Sequence, residues 1–533
     1  MTPPRFNLID DPWLIVRNVN GDTETVSMHT AFARAHELRR LSGELPSQDF
    51  AVLRILLAVL YRAVEGSARA DPLAYWAELW ATAELPLQAI DQYLEEWHDH
   101  FYLFDKTRPW FQVPDLAATN GETKPVDLLI PDCPIAGGLF SMRRGYSSIS
   151  PAEAARWLIH CQAYDISGIK SGAVGDDRVK GGKGYPIGNG WAGWLGGITV
   201  TGSSLRETLL LNFVANSYQD DDLPVWELPQ LTSSARRGAQ GTGPVSLFSW
   251  PQRRIRLFTN DQGNVSSVLV CNGDPIDYQF QHAHEVMTGW RHSVPQSKKF
   301  NTDVFMPRQF DPTEKLWRGL DALLPVLQQD PQFLPARVLE WSADLAGNRV
   351  LPDDHLTEIE TVGVTYGAQS ASWDEIFSDK LAFNVRLAAS HSFPAKEIVF
   401  SAVARAVEAI NALGSLAGNL QVAAGGDYDS AAAAARGSGF AETDSDFRAW
   451  LATFDPEGDL EGQLQQFTDA ARDRILRLAE GYLREAGPTA WVGRKVTRNR
   501  QEHVINTGQA DSWFRRSLAR ALPYAASEEG VSA

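Results

Sequence analysis

Several groups of residues in this chain have types and spacings that could do chemistry. Asp220, Asp221 and Asp222 are adjacent. Three carboxylates can hold Mg²⁺, although a solvated loop is the usual outcome for such a run. His98-Asp99-His100 and His282-Ala283-His284 both have a His-x-His spacing. That spacing suits a metal only when further ligands converge on it. Two other segments match motifs by letter alone. Gly188-Asn-Gly-Trp-Ala-Gly193 reads as Gly-x-Gly-x-x-Gly, but Pro186 precedes it and Trp194-Leu-Gly-Gly follows. The dinucleotide fingerprint needs a strand before the glycines and a helix opening at them, so no cofactor is implied. Ser167-Gly-Ile-Lys170 matches the Ser-x-x-Lys of penicillin-binding enzymes without the companion Ser-Asp-Asn and Lys-Thr-Gly elements.

A different chemistry suits Gly168–Gly202. It holds twelve glycines with Trp191, Trp194, Lys170, Arg178, Lys180 and Lys183. Glycine permits positive φ and close backbone approach, and neither a helix nor a core strand survives this density. A loop system of this kind fits a phosphate backbone as well as it fits pure architecture. Three further stretches share that character. Leu139, Phe140, Ser141 and Met142 precede Arg143 and Arg144. Tyr278–Asn301 carries His292, Arg291, Lys298 and Lys299. Tyr366-Gly367-Ala368-Gln369 forms a turn after an apolar run. A glutamine at a tight turn can meet base edges or wedge between bases, although a solvent-facing one is commoner.

These residues must be placed by a chain of 533 residues, long enough for two or three domains. The 44% hydrophobic and 22% charged fractions are those of a globular protein. A formal charge of −17 speaks against an autonomous binder of long nucleic acid, but not against a local basic patch. Seventeen tryptophans suggest that some line interfaces. Cys133, Cys161 and Cys271 are far apart and form no Cys-x-x-Cys pair, which favours a reducing compartment and disfavours a zinc ribbon. The N-terminus does not read as a signal peptide, and no window holds 18 uncharged apolar residues. A cytoplasmic protein without membrane spans, metal or cofactor is expected.

The pattern predicts a hairpin turning at Asn20-Gly21, a helix over Thr30–Leu41 and a core helix over Ser47–Glu65 opened by Pro46. Further helices are expected at Asp71–Leu79, Leu87–His98, Ser150–Ala163 and Ser204–Asn216. The last has Ser204 and Glu207 spaced as a capping box. Phe101–Val113 reads as an aromatic strand and turn. Val245–Trp250, Arg254–Phe258 and Val265–Cys271 read as antiparallel strands. From Trp373 alanine and leucine dominate, predicting helices at Trp373–Ser390, Ala395–Leu416, Ser445–Phe454, Leu460–Leu483 and Asp511–Leu522. Gly425–Gly439 reads as a mobile linker, and Arg494, Lys495, Arg498 and Arg500 form a basic cluster. The fold class is α+β: a large mixed N-terminal domain of irregular topology over residues 1–372, then an antiparallel four-helix bundle over 373–533.

Four segments, in this order, carry a resemblance. They are FNLIDDPWLIV from Phe6, KTRPWFQV from Lys106, GNGWAGWLGGITVTGSSLRETLLLN from Gly188 and LFSWPQRRIRL from Leu247. The chain resembles the Cse1/CasA family, the large subunit of the type I-E CRISPR surveillance complex, Cascade. That resemblance implies a non-enzymatic subunit that checks double-stranded DNA for the protospacer-adjacent motif from the minor groove. It also implies help in opening the duplex, partner subunits around a guide RNA, and recruitment of a nuclease-helicase. By the same resemblance, the DNA-facing residues are Phe140, Ser141 and Met142 of a loop; Lys180, Gly181, Gly182, Lys183 and Gly184 of the glycine segment; Lys298 or Lys299; and Gln369 as a wedge. TYGAQSAS around Gln369 departs from the family pattern at Ala368, where asparagine can stand. Two rival readings are a metal-dependent nuclease using Asp220–Asp222 with His282 and His284, and a scaffold that reads no bases.

Overall fold

The computed structural model describes residues 4–143, 145–324, 332–352, 354–389, 392–498 and 501–524. Arg144 and Arg500, noted above for their charge, lie outside them. The chain divides into two compact units. The first takes Met1–Thr313, Gln328–Val350 and Glu358–Lys380; the second takes Glu314–Leu327, Leu351–Thr357 and Leu381–Ala533. Residue 372 therefore falls inside the first unit, in a turn between two strands.

The first unit begins with the expected hairpin, β1 (Leu14–Asn18) and β2 (Thr23–Val26), with Leu14 opposite Val26. Gly21 turns it at φ 95°. The helix expected over Thr30–Leu41 is cut short. Only α1 (Met28–Ala33) forms, and Leu38–Leu41 becomes β3, pairing with β1. Leu38 and Leu41 are buried while Arg39 and Arg40 face outward, so tertiary pairing overrides the helical pattern.

The axis of the unit is α2 (Pro46–Ala70), buried continuously from Phe50 to Tyr61. A helix buried all round is a core helix. It packs against α3 (Pro72–Ala81), α4 (Leu87–Glu96), α5 (Pro151–Tyr164), α6 (Leu205–Asn212) and α7 (Pro244–Phe248). Ser150 and Ser204 cap α5 and α6 through the Glu153 and Glu207 amides. The α7 helix stands where a strand was expected. The Asp222 carboxylate accepts the Val245 and Ser246 amides at 2.9 and 2.8 Å and so nucleates the turn. Phe101–Val113 forms no named strand. Its Phe101, Leu103, Trp110, Phe111 and Val113 all turn inward, without the alternation a strand needs.

Short antiparallel sheets surround this core. The order β4-β9-β8 joins Lys124–Pro125, Val265–Asn272 and Arg253–Thr259. A two-stranded ribbon pairs β5 (Lys170–Ser171) with β6 (Lys183–Gly184). The β10 strand (Trp290–His292) lies between β11 (Phe305–Pro307) and β12 (Phe333–Leu334); α8 (Val294–Phe300) leaves its end, and α9 (Arg337–Gly347) follows β12. The order β14-β13-β7 joins Trp373–Asn384, Leu356–Tyr366 and Gly197–Thr201. The helix expected over Trp373–Ser390 is thus a strand. Pairing with β13 decides it, although the composition there begins to favour helix.

In the second unit α10 (Phe393–Ala424), α11 (Tyr428–Thr453), α12 (Leu460–Glu485) and α14 (Thr507–Ala521) form the expected bundle. Gly418 meets Tyr428, Gly414 meets Arg436 and Ile410 meets Gly439, so α10 and α11 run antiparallel. The supposed linker is helical from Tyr428 onward. Gly425 closes α10 at φ 99°, and the Asp427 carboxylate accepts the Ser430 amide to start α11. Its alanine run then favours the helix strongly. Between α12 and α14 lie α13 (Pro488–Val492) and a hairpin of β15 (Arg494–Arg498) and β16 (Gln501–Ile505), which carries part of the basic cluster. The α10 helix is long and apolar enough to cross a membrane by length and composition, but it contains Lys396, Glu397, Arg405 and Glu408 and packs inside the bundle.

One carboxyl of the α2 first turn gives a pH prediction. Burial pushes Asp49 up to about 7, with Glu360 and Glu44 adding to the rise. The folded state therefore keeps a proton that the unfolded chain has released. Stability falls as pH rises from about 4 to about 7 and then levels, by on the order of 2–4 kcal/mol. Asp49→Asn should flatten this slope and be the more stable protein at pH 8. Urea unfolding at pH 5 and pH 8 checks it; equal slopes for both proteins would exclude the linkage.

Candidate nucleic-acid interface

The glycine-rich stretch separates into an outward ribbon and a buried half. At the ribbon tip the Lys183 amide donates to the Lys180 carbonyl at 3.1 Å, with Gly181 at φ 58° and Gly182 at φ 75°. Two consecutive positive φ values match the twist of a two-residue hairpin and explain the glycine pair. Lys180, Gly181, Gly182 and Lys183 are exposed, whereas Gly184 is buried. The ribbon is held from behind: Thr119 Oγ1 donates to the Gly182 carbonyl at 3.2 Å, and Asn272 Nδ2 donates to the Tyr185 carbonyl at 2.6 Å.

The buried half is locked into the core. A Cβ at Gly190 would stand 2.4 Å from the Ala163 backbone, so only glycine lets this segment lie against the end of α5. Trp191 Nε1 donates to Glu285 at 2.7 Å. Glu285 in turn receives both ends of the Arg54 guanidinium at 2.8 and 2.9 Å and the Met287 amide at 3.0 Å. Arg253 donates to the Gly188 carbonyl at 2.8 Å and to Asp165 at 2.6 Å. Burial alone would raise the Asp165 carboxyl, but Lys170 and Arg253 hold it below the usual range. These buried pairs fix the base from which the ribbon projects.

Gln369 sits at the tip between β13 and β14. Gln369 and Ser370 have φ of 56° and 54°, an uncommon conformation for two successive residues with side chains. The turn is closed by Gly367 N–H to Ser372 O and Ser370 N–H to Gly367 O. The Gln369 side chain is exposed. The Ser167 amide donates to the Ser370 carbonyl at 2.8 Å, which seats the turn at the entrance to the glycine-rich stretch.

The third feature is the loop of residues 132–142. Phe140, Leu139 and Ile135 are 77%, 70% and 60% exposed, a rare concentration of apolar side chains in water. Ser141 points the other way. It is buried and donates to Asp132 Oδ1 at 2.5 Å, beside the Gly137 amide at 2.9 Å. Burial would raise the Asp132 carboxyl, but these bonds and Arg143 hold it low. Met142 is half-buried. Cys133 Sγ lies 3.9 Å from the Asp374 carbonyl, just beyond the Gln369 turn. Loop, turn and stretch are thus neighbours. Lys298 and Lys299 are exposed on the last turn of α8, which buries no residue. The sheet that α8 leaves is tied to the buried glycine half, with Gly196 N–H donating to the Arg308 carbonyl at 3.1 Å and Thr288 Oγ1 donating to the Gly196 carbonyl at 3.0 Å. Rings add to this: Phe300 against Phe280, and Tyr278 stacked on Trp194 at 4.6 Å.

Of the residues of the nuclease reading, Asp222, His282 and His284 lie within electrostatic reach of one another, but each is engaged in packing or capping. Asp222 caps α7, and Asp220 pairs with Arg69 at 3.3 Å. His282 packs against Trp290 and Phe305, and burial lowers it and His284. His98 meets Asp10, and His100 meets the Trp226 carbonyl and Arg108. Among the described residues no group of three or more His, Cys, Asp or Glu could hold a metal ion. Sequence reasoning missed Asp132, Ser167, Arg253 and Glu285, which position the candidate interface. Ser167, Arg253 and Glu285 are lone polar residues whose partners are remote in the chain, and Asp132 holds its own loop together through Gly137 and Ser141.

Fold and candidate interface together define a two-unit α+β protein with a glycine ribbon, a strained turn and an apolar loop displayed on its larger unit. Residues 7–484 match the family described as CRISPR-associated protein Cse1, and the chain belongs to that family. It is 33% identical over 324 residues to the CRISPR-associated protein CasA/Cse1 of Thermus thermophilus, a match covering 57% of this chain and 61% of that relative. It is also similar to the crystal structure of Thermobifida fusca Cse1, at 39% identity and a TM-score of 0.88 over 98% of both chains. A chain of a structure titled CRISPR RNA-guided surveillance complex shares the fold, at 18% identity and a TM-score of 0.64 over 97% of this chain and all of that one.

Proposed function

We propose that this protein is the non-catalytic large subunit of a cytoplasmic RNA-guided antiviral complex and reads the protospacer-adjacent motif in double-stranded DNA. The observation that carries this reading is the Gln369 turn, an exposed amide held in a strained conformation on the same unit as an exposed apolar loop and a lysine-flanked glycine ribbon. In the minor groove, base pairs differ mainly by the guanine amino group, and exposed glycine backbone comes close enough to sense it. Lys180 and Lys183 supply phosphate contacts; Lys298 or Lys299 supplies another. Phe140 lies against the duplex, while Ser141, Met142 and Gly184 shape the elements that touch it. Gln369 enters the stack as a wedge, and the separated strand pairs with the guide RNA. The C-terminal bundle contacts the other subunits, and the large unit recruits the nuclease-helicase once the target is bound.

In a complex assembled with guide RNA, Gln369→Ala should weaken target-duplex binding about 10-fold, the scale of one lost base-level contact. Assembly should be unchanged. Mobility shifts of matched and motif-mutated duplexes measure both. Wild-type affinity with wild-type motif preference would leave only a scaffold. The protein incubated with DNA and Mg²⁺ or Mn²⁺ should release no fragments; cleavage would restore the nuclease reading.

A further inference from the structure

Away from the ribbon, a cavity of about 340 Å³ opens between β1, β3, the start of α2 and the β7–β13 sheet. Its charges are unevenly satisfied. Lys380 lies 3.2 and 3.1 Å from Glu358 and Glu360, and Thr201 Oγ1 donates to Glu358 at 2.8 Å, so that end is a closed set. Arg39 donates to the Gly202 carbonyl at 3.1 Å. Arg17 and Arg40 are different. They stand directly opposite each other across the β1–β3 pair, both exposed, and neither makes an ion pair among the described residues. Like charges facing across a strand pair are unfavourable unless something neutralises them. Phe50, Leu53 and Leu41 give the cavity an apolar wall beside the two guanidiniums.

We infer that this cavity binds a nucleoside monophosphate, with its phosphate between Arg17 and Arg40 and its base against Phe50 and Leu53. Two guanidinium forks match phosphate oxygens in geometry as well as charge. Small-ligand sites begin at roughly 300 Å³ and combine apolar walls with a few placed polar groups. The Thr199 side chain on β7 borders the same space and offers a hydroxyl to a sugar or base edge. Asp49 borders the same space; its Oδ1 accepts the Gly43 amide at 2.8 Å, and Arg40 favours its charged form against the burial that opposes it. The site shares no residue with the loop, ribbon or turn assigned to DNA, so it stands independently of that assignment.

Calorimetric titration of the full chain with AMP, GMP, CMP, dTMP and inorganic phosphate at low ionic strength tests it. At least one nucleotide should bind saturably, about 10-fold or more tighter than inorganic phosphate, and Arg17→Ala/Arg40→Ala should weaken it at least about 10-fold. Both arginines are exposed and mutually repulsive, so the variant should fold; an unchanged unfolding temperature confirms that, and Arg40→Ala alone serves as a second variant. No saturable binding of any nucleotide at millimolar concentration overturns the inference. So does equal affinity for inorganic phosphate, or an affinity that both variants leave unchanged.

Discussion

Replacing Glu285 with alanine lowers the stability of the N-terminal unit by about 3–5 kcal/mol, the scale for stranding one half of a buried ion pair. Arg54 and Glu285 are 2% and 0% exposed at the side chain, so neither can turn to water when its partner goes. Arg54 would keep its bond to the Leu247 carbonyl and its place over the Phe248 ring. Its charge would be left buried. Trp191 Nε1 and the Met287 amide would lose their acceptor at the same time. A double change to methionine at 54 and 285 removes both charges and should recover much of the loss, since apolar replacement of a whole buried pair is often close to neutral. Chemical denaturation of Arg54→Met, Glu285→Met and the double completes the cycle. A loss below about 1 kcal/mol for Glu285→Ala would show that the pair is solvated.

Gly182→Asp should abolish most target-DNA binding while the protein still folds and assembles. Gly182 has φ 75°, and an added Cβ meets only Thr119 Oγ1 at 3.3 Å. Aspartate tolerates the left-handed region better than most residues, so the backbone cost is about 1 kcal/mol. The functional cost is larger. A carboxylate between Lys180 and Lys183 cancels the local positive field and faces phosphate, which we expect to weaken binding roughly 30-fold, or about 2 kcal/mol. Gly182→Asn makes the same backbone demand without the charge and should lose much less. If both variants bind alike, the ribbon acts by shape alone. If neither is impaired, the ribbon is not at the DNA.

The elements read correctly from sequence are those whose signal is local. The α2 helix carries Pro46 at its start and apolar residues at helical spacing; α5 and α6 carry Ser150 and Ser204 as caps; the first hairpin carries Asn20-Gly21. The elements read wrongly depend on a partner. Leu38–Leu41 and Trp373–Asn384 are strands because β1 and β13 pair with them, and Val245 starts a helix because Asp222 arrives to cap it. The candidate interface divides in the same way. Gly181-Gly182 between lysines and Gln369 in a glycine-containing turn are visible as residues. Their convergence is not, because Ser167 meets Ser370 and Cys133 meets Asp374 only after folding.

By itself the sequence determined the α+β class, the C-terminal bundle and the family, because periodicity, caps and ordered motifs are properties of contiguous residues. Only the tertiary structure decided that Ser141 faces inward while Phe140 faces out, that the three aspartates are a cap and surface charge, and that Arg17 stands opposite Arg40. Those facts depend on contacts between residues far apart in the chain, whose energies no local pattern encodes.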